Sequence, residues 1–141
     1  MEGKRFCANS RLSVGLAWSP GGRDYMQDAF CVVLNHESGE NVDFLGMFDG
    51  HGSGGEDVAK FVATHLCDLV VKKANGDSGS DPDKFSKAIV EGCLELDEMI
   101  KRQDSLKDSE FGRVRGGSTS LAAWFKVPFI LPMCIYKANA K

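Results

Sequence analysis

Residues 48–55 read Phe-Asp-Gly-His-Gly-Ser-Gly-Gly, an acid and a histidine set among four glycines. Two chemistries use such a stretch. Gly50, Gly52 and Gly55 satisfy G-x-G-x-x-G, which cradles a pyrophosphate with backbone N–H groups and a helix N-terminus. Here, however, Asp49 precedes the glycines and Glu56-Asp57 follow them, so negative charge would crowd the phosphates. The alternative is a cation site. A carboxylate at a strand end, Asp49, is held rigidly, and Gly50 has no Cβ to keep its own carbonyl from the same ion. Oxygen donors of this kind suit Mg²⁺ or Mn²⁺. His51 beside the ion could give a proton to a leaving group. Upstream, "GRDYMQDAF" supplies Arg23, whose planar fork matches a phosphate, and Asp28, a second carboxylate. Taken singly, each residue has a plainer role. Asp49-Gly50 is then a strand-ending turn, His51 and Arg23 are solvated surface residues, and Gly116-Gly117-Ser118-Thr119 is a loop.

The elements that must position these groups follow from periodicity. Leu12, Val14, Leu16 and Trp18 alternate with other residues, the period of a half-buried strand, before the turn signal "SPGG" at 19–22. "AFCVVL" (29–34) and "VDFLGMF" (42–48) predict two further strands joined by the polar stretch "NHESGEN", a hairpin connection. If they pair, Asp28 and Asp49 meet at one end of the hairpin. Val58, Phe61, Val62, Leu66 and Leu69 mark one face of a helix over about 56–73, with Lys72 and Lys73 in its last turn and Gly76 to end it. Asp81-Pro82 predicts an N-cap and first turn for a second helix, 82 to about 102, with an apolar stripe from Phe85 to Ile100. A polar loop over 104–117 leads to a strand at 118–125, and the apolar 126–141 is expected to be irregular. His65 falls beside the first helix's apolar stripe, and His36 lies in the hairpin loop with no partner in sequence. The order strand, strand, strand, helix, helix, strand is not a βαβ alternation, so it points to an α+β layered fold.

"RDYMQDAF", "FLGMFDGHG" and "GGSTS" occur in the order and at about the spacing seen in the metal-dependent protein phosphatases of type 2C. The chain resembles that family over roughly 11–125. The resemblance implies the N-terminal part of a four-layer β-sandwich flanked by helices. It implies two Mg²⁺ or Mn²⁺ ions and hydrolysis of phosphoserine and phosphothreonine in protein substrates. Carried onto the matching positions, the resemblance implies that Asp49 would bridge the ions, Gly50 would contribute its carbonyl, Asp28 would hold metal-bound water, Arg23 would grip the phosphate and His51 would donate a proton. Two departures bear on activity. Gln27 stands where the family carries Glu and adds no negative charge. The family's further aspartates, in D-G and D-N settings, have no counterpart, because residues 120–141 contain neither Asp nor Glu. The expectation is a single partial domain over 1–141, with a divergent tail at 126–141, that is weakly active or inactive alone. The other reading is a catalytically silent truncated isoform serving as a binding or regulatory module.

Composition narrows the partners. The net charge is −3, and no long run of Lys and Arg occurs, which argues against binding nucleic acid by counterion release. The apolar segment 121–136 contains Lys126, Pro128 and Pro132 and is shorter than the ~20 residues of a spanning helix. No membrane association is therefore expected. The five cysteines are odd in number and without CxxC spacing, which fits reduced thiols in a cytoplasmic or nuclear protein.

Overall fold

The computed structural model describes residues 2–6, 12, 14–36, 42–74, 81–103, 106–107, 115–126 and 129–139. In chain order its elements are β1 (Glu2–Phe6), β2 (Val14–Trp18), β3 (Ala29–Val33), β4 (Val42–Phe48), β5 (Gly50–Gly52), α1 (Gly55–Lys73), α2 (Pro82–Arg102), β6 (Gly116–Lys126) and β7 (Phe129–Asn139). β1 and β2 form a two-stranded antiparallel sheet, and β3 to β7 form a five-stranded one. β6 organises the larger sheet. Along one edge it pairs with β5 through 116–118 and with β4 through 121–126, so β5 continues the line of β4 past Asp49. β7 pairs along the other edge of β6. β3 pairs with β4 from Ala29↔Phe48 to Val33↔Phe44.

Strand alternation decides which face is covered. Val42, Phe44 and Phe48 of β4, and Ala122 and Trp124 of β6, are buried in one cluster with Val58, Val62, Leu66 and Val70 of α1 and Phe85, Ile89 and Leu96 of α2. Ala29, Cys31 and Val33 of β3 pack against the same cluster. Trp124 lies 4.9 Å from Phe44 and 5.9 Å from Phe85 between ring centroids. Such pairs add about 0.5–1.5 kcal/mol each beyond the area they bury. That outweighs part of the cost of Trp124 Nε1, which is buried with no hydrogen-bond partner among the described residues. Gly46 sits between the two phenylalanines because a Cβ there would meet both rings. On the far face Trp18 of β2 stacks on Phe30 of β3 with centroids 5.0 Å apart, so the small sheet meets the side away from the helices. Met47 and Leu121, directly paired across strands, stay exposed on that face.

The α+β class and the layered, incomplete sandwich are as expected, and both helices match within a residue. Three strands were not foreseen. β1 carries the charged run Glu2–Phe6, with no alternation to reveal it. β5 is made of glycines and a histidine, poor strand formers that pair because β6 lies beside them. β7 replaces the irregular tail: the proline at 132 did not prevent pairing on the sheet's outer edge. Strand β6 also starts at Gly116, inside the expected loop. The expected helix end at Gly76 falls outside the described residues. Among the described residues no helix is long and apolar enough to cross a membrane.

Asp81 caps α2 as its sequence suggests: its carboxylate accepts from the N–H groups of Asp83 at 3.0 Å and Lys84 at 3.3 Å, with Pro82 in the first turn. We expect Asp81→Ala to lower the unfolding free energy by about 1 kcal/mol and Asp81→Asn by much less. The check is the urea midpoint at unchanged m value. An Asp81→Ala midpoint equal to that of the natural chain would refute the cap's contribution.

Candidate active site

The register of β3 on β4 places Asp28 and Asp49 immediately beyond the Ala29↔Phe48 pair, at the same end of the hairpin. Both are exposed. With Ser19, Pro20, Arg23, Tyr25, Met26 and Gln27 they line a cavity of about 280 Å³. Arg23 is delivered by the turn at its edge. Its N–H donates to the Pro20 carbonyl at 3.2 Å, Gly21 adopts φ 65°, and the Gly21 N–H donates to Ser19 Oγ at 3.2 Å. Among the described residues no ion pair or side-chain hydrogen bond engages the Asp28 or Asp49 carboxylate. The cavity therefore holds two carboxylates with oxygens available to a hard cation, and one guanidinium available to an anion.

Asp49 is held through its backbone. The Thr119 N–H donates to the Asp49 carbonyl at 2.8 Å, just before β5 pairs with β6 as Gly50↔Ser118. In an antiparallel ladder hydrogen-bonded pairs alternate with non-bonded ones, so Gly50 turns its own N–H and C=O away from β6. On that side stands the Gln27 segment. A Cβ at Gly50 would collide with the carbonyl oxygens of Gln27 and Gly55, so only glycine fits. The Gln27 side-chain amide donates to the Gly52 carbonyl at 2.6 Å and ties the same segment to β5. A glutamate at position 27 could not make that bond. His51 is exposed on β5, opposite Gly117, and is not among the residues that line the cavity.

The glycines at 50, 55 and 116 thus have a packing explanation. Cβ atoms there would meet backbone of β5, of the start of α1, or of Gln27. The loop between β5 and α1 is held by Arg115, whose carbonyl accepts from Gly54 N–H and Ser53 Oγ, both at 3.1 Å. The acids of the first helical turn face protein cations: Glu56 pairs with Lys60 at 2.6 Å and Asp57 lies 4.0 Å from Arg115. The Glu56 partnership raises the Lys60 ammonium above its ordinary pKa. These carboxylates would repel a pyrophosphate at the helix N-terminus, which weighs against the dinucleotide reading.

The structure thus brings Arg23, Asp28 and Asp49 together, puts Gly50 against them and leaves His51 to one side. Sequence reasoning missed Thr119 and Gln27 as the groups that position Asp49 and β5. The motif "GGSTS" was visible, but its hydrogen bond to Asp49 spans 70 positions and depends on strand register. Of the other histidines, His65 stacks on Phe61 with centroids 4.4 Å apart, as a boundary residue would.

Backbone contact at Gly50 makes a clear expectation. Gly50→Ala should cost about 1–3 kcal/mol of stability, the usual penalty of overpacking. Gly15→Ala, with nothing within 4 Å of the added Cβ, should change stability little. Denaturant unfolding of both variants measures this, and equal stabilities would show that Gly50 is not sterically required.

The chain is similar to known proteins over most of its length. It is 40% identical over 108 residues to probable protein phosphatase 2C 59 of Oryza sativa subsp. japonica, covering 74% of this chain and 30% of that protein. It is 30% identical over 105 residues to protein phosphatase 2C homolog 2 of Schizosaccharomyces pombe, covering 72% of this chain and 27% of that protein. It is 31% identical over 121 residues to protein phosphatase 2C 1 of Paramecium tetraurelia, covering 85% of this chain and 38% of that protein. The chain therefore spans well under half the length of these curated relatives. No family model matches it. The solved structure of a C. elegans sex determining protein superposes with a TM-score of 0.54 at 20% identity, over 88% of this chain and 26% of that one, which supports the fold alone. On its identity with these relatives, over about 70–85% of its own length, the chain belongs to the type 2C protein phosphatase family.

Proposed function

We propose that this cleft serves the metal-dependent hydrolysis of phosphoserine and phosphothreonine in proteins, and that the chain by itself carries only part of the machinery. One observation carries the reading: Asp28, Asp49 and Arg23 line one cavity at the end of the β3–β4 hairpin. The donor set fits Mg²⁺ or Mn²⁺, because two unpartnered carboxylates and a nearby backbone carbonyl offer only hard oxygens. Divalent cations held there polarise phosphoryl oxygens and lower the pKa of an attacking water. Asp49, fixed through its backbone by Thr119, and Asp28 would be the holding carboxylates, with the Gly50 carbonyl as a third donor. Arg23 would take the phosphate in its fork and set the substrate's orientation. His51, exposed beyond Gly50, would protonate the departing serine or threonine oxygen.

Charge decides how much this chain achieves alone. Two divalent ions ~4 Å apart repel strongly unless several anionic ligands surround them. Among the described residues the cavity offers two carboxylates, and Arg23 offsets part of their charge. Gln27 adds none. This favours one weakly held ion and a low rate, and the silent binding module gains support from the exposed apolar pair Met47 and Leu121.

We expect Mn²⁺ titration followed by electron paramagnetic resonance to find one weak site, lost in Asp49→Asn and weakened in Asp28→Asn. Equal Mn²⁺ binding in all three proteins would overturn the assignment of the carboxylates.

A separate expectation concerns turnover. Hydrolysis of p-nitrophenyl phosphate by the purified chain should stay near background with Mn²⁺, and Asp49→Asn should change it little. Robust metal-dependent turnover abolished by that substitution would show that the site is completed in another way.

A further inference from the structure

At the opposite end of the β3–β4 hairpin a different set of donors converges. His36, Cys67 and Asp68 each bring one ligand atom within 4.8 Å of the other two. His36 Nε2 lies 2.9 Å from Asp68 Oδ1. The placement is built rather than incidental. After β3 the chain turns through Asn35 at φ 57°, whose N–H donates to Asp43 Oδ1 at 2.7 Å, and the His36 N–H donates to the Val42 carbonyl at 2.9 Å. These bonds lock the histidine to the start of β4, facing α1. Cys67 and Asp68 are consecutive on α1, one buried and one exposed. From Gly55 to Asp68 the helix runs about 20 Å at ~1.5 Å per residue, so the cluster is remote from the cleft.

We infer that His36, Cys67 and Asp68 form a site for one divalent cation of the zinc class. Nitrogen, sulfur and oxygen donors together suit Zn²⁺, whereas Mg²⁺ and Mn²⁺ prefer oxygen alone. Bond lengths of ~2.3 Å to sulfur and ~2.1 Å to nitrogen set ligand separations near 3.5 Å in a tetrahedral shell, so closure needs movements of about 1 Å. Asp68, exposed on the helix surface, can supply that movement, and its open edge leaves the fourth position to solvent. On binding, the Cys67 thiol releases its proton to water. The thiolate and the Asp68 carboxylate then balance the ion's two charges, and neutral His36 completes the set. Without a cation the thiol stays protonated: burial raises its pKa most, followed by the neighbouring Cys31 and Asp68. Cys31 faces the same helix from β3, and burial and then Asp68 raise its pKa also. A bound ion would pin the hairpin's turn to α1, independently of the phosphatase reading.

The test is Co²⁺ titration of the metal-free full chain. The expected result is thiolate-to-cobalt charge-transfer absorption with visible bands of tetrahedral type, saturating at one equivalent. Zn²⁺ should displace it stoichiometrically and Mg²⁺ should not. Cys67→Ser and His36→Ala should each abolish the bands, while Asp49→Asn, which changes only the cleft, and Cys93→Ala should keep them. Circular dichroism establishes that the variants are folded. If Cys67→Ser unfolds, His36→Ala decides, since His36 lies at the turn rather than in the core. Absence of the bands at stoichiometric Co²⁺, or their survival in His36→Ala, would overturn the site and leave His36–Asp68 as a hydrogen-bonded contact between turn and helix.

Discussion

The pairing register of β6 is the constraint on which the rest depends. One edge of this strand carries β5 and β4 in succession, and the other carries β7. With a side-chain period of two, a slip of one residue would turn Trp124 and Ala122 out of the core and bring Leu121 in. It would also move the Thr119 amide away from the Asp49 carbonyl. Core packing and the position of the candidate metal ligand are therefore specified by one ladder. The apolar energy sits on the buried side of that ladder, where Trp124 contacts Phe44 from β4 and Phe85 from α2. The functional groups sit at its end, where burial contributes little and hydrogen bonds and glycine contacts hold the backbone instead.

Two ends of one hairpin thus differ in donor chemistry. The end at Asp28 and Asp49 offers exposed oxygens, a guanidinium and a small cavity. The end at His36 faces Cys67 and Asp68 with nitrogen, sulfur and oxygen. Helix α1 runs between them. Its first turn is pressed against β5 and β6 at glycines, which lets backbone meet backbone, and its later turns bury Leu66, Cys67 and Val70. Ion pairs across the surface, such as Lys73 with Glu95 at 2.6 Å between α1 and α2, orient the helices. Solvent screening leaves a surface pair of this kind little net effect, so the helix hairpin owes its stability to the apolar stripe. Gly92 supports that stripe, since a Cβ there would press on Val70.

Much of this was legible in the sequence, for identifiable reasons. Apolar periodicity is local, so both helices, the Asp81 cap and strands β2, β3 and β4 could be read without a partner. The hairpin also brought Asp28 and Asp49 together on paper, because antiparallel pairing of adjacent segments leaves one topology. The spacing of Arg23, Asp28, Asp49 and the "GGSTS" motif carried the family. Gly50 reads in the sequence as opening its carbonyl to an ion; the structure adds that its missing Cβ makes room for the Gln27 and Gly55 carbonyls.

Only the tertiary structure decided the rest. Strands β5 and β7 have side chains that do not favour strands or contain proline, and they form because β6 presents unpaired edges beside them. The contact of His36 with Asp68 could not be read from the sequence, because Asp68, 32 positions on, reaches it only once α1 folds across β3. Thr119 and Gln27 position the cleft through backbone and amide bonds that follow from register, and register depends on the whole sheet. The sequence by itself determined both helices, strands β2, β3 and β4, and the residue types that line the cleft, since those depend on residue type and near neighbours. Which residues support that chemistry, and which others meet far from it, depended on contacts between segments distant along the chain.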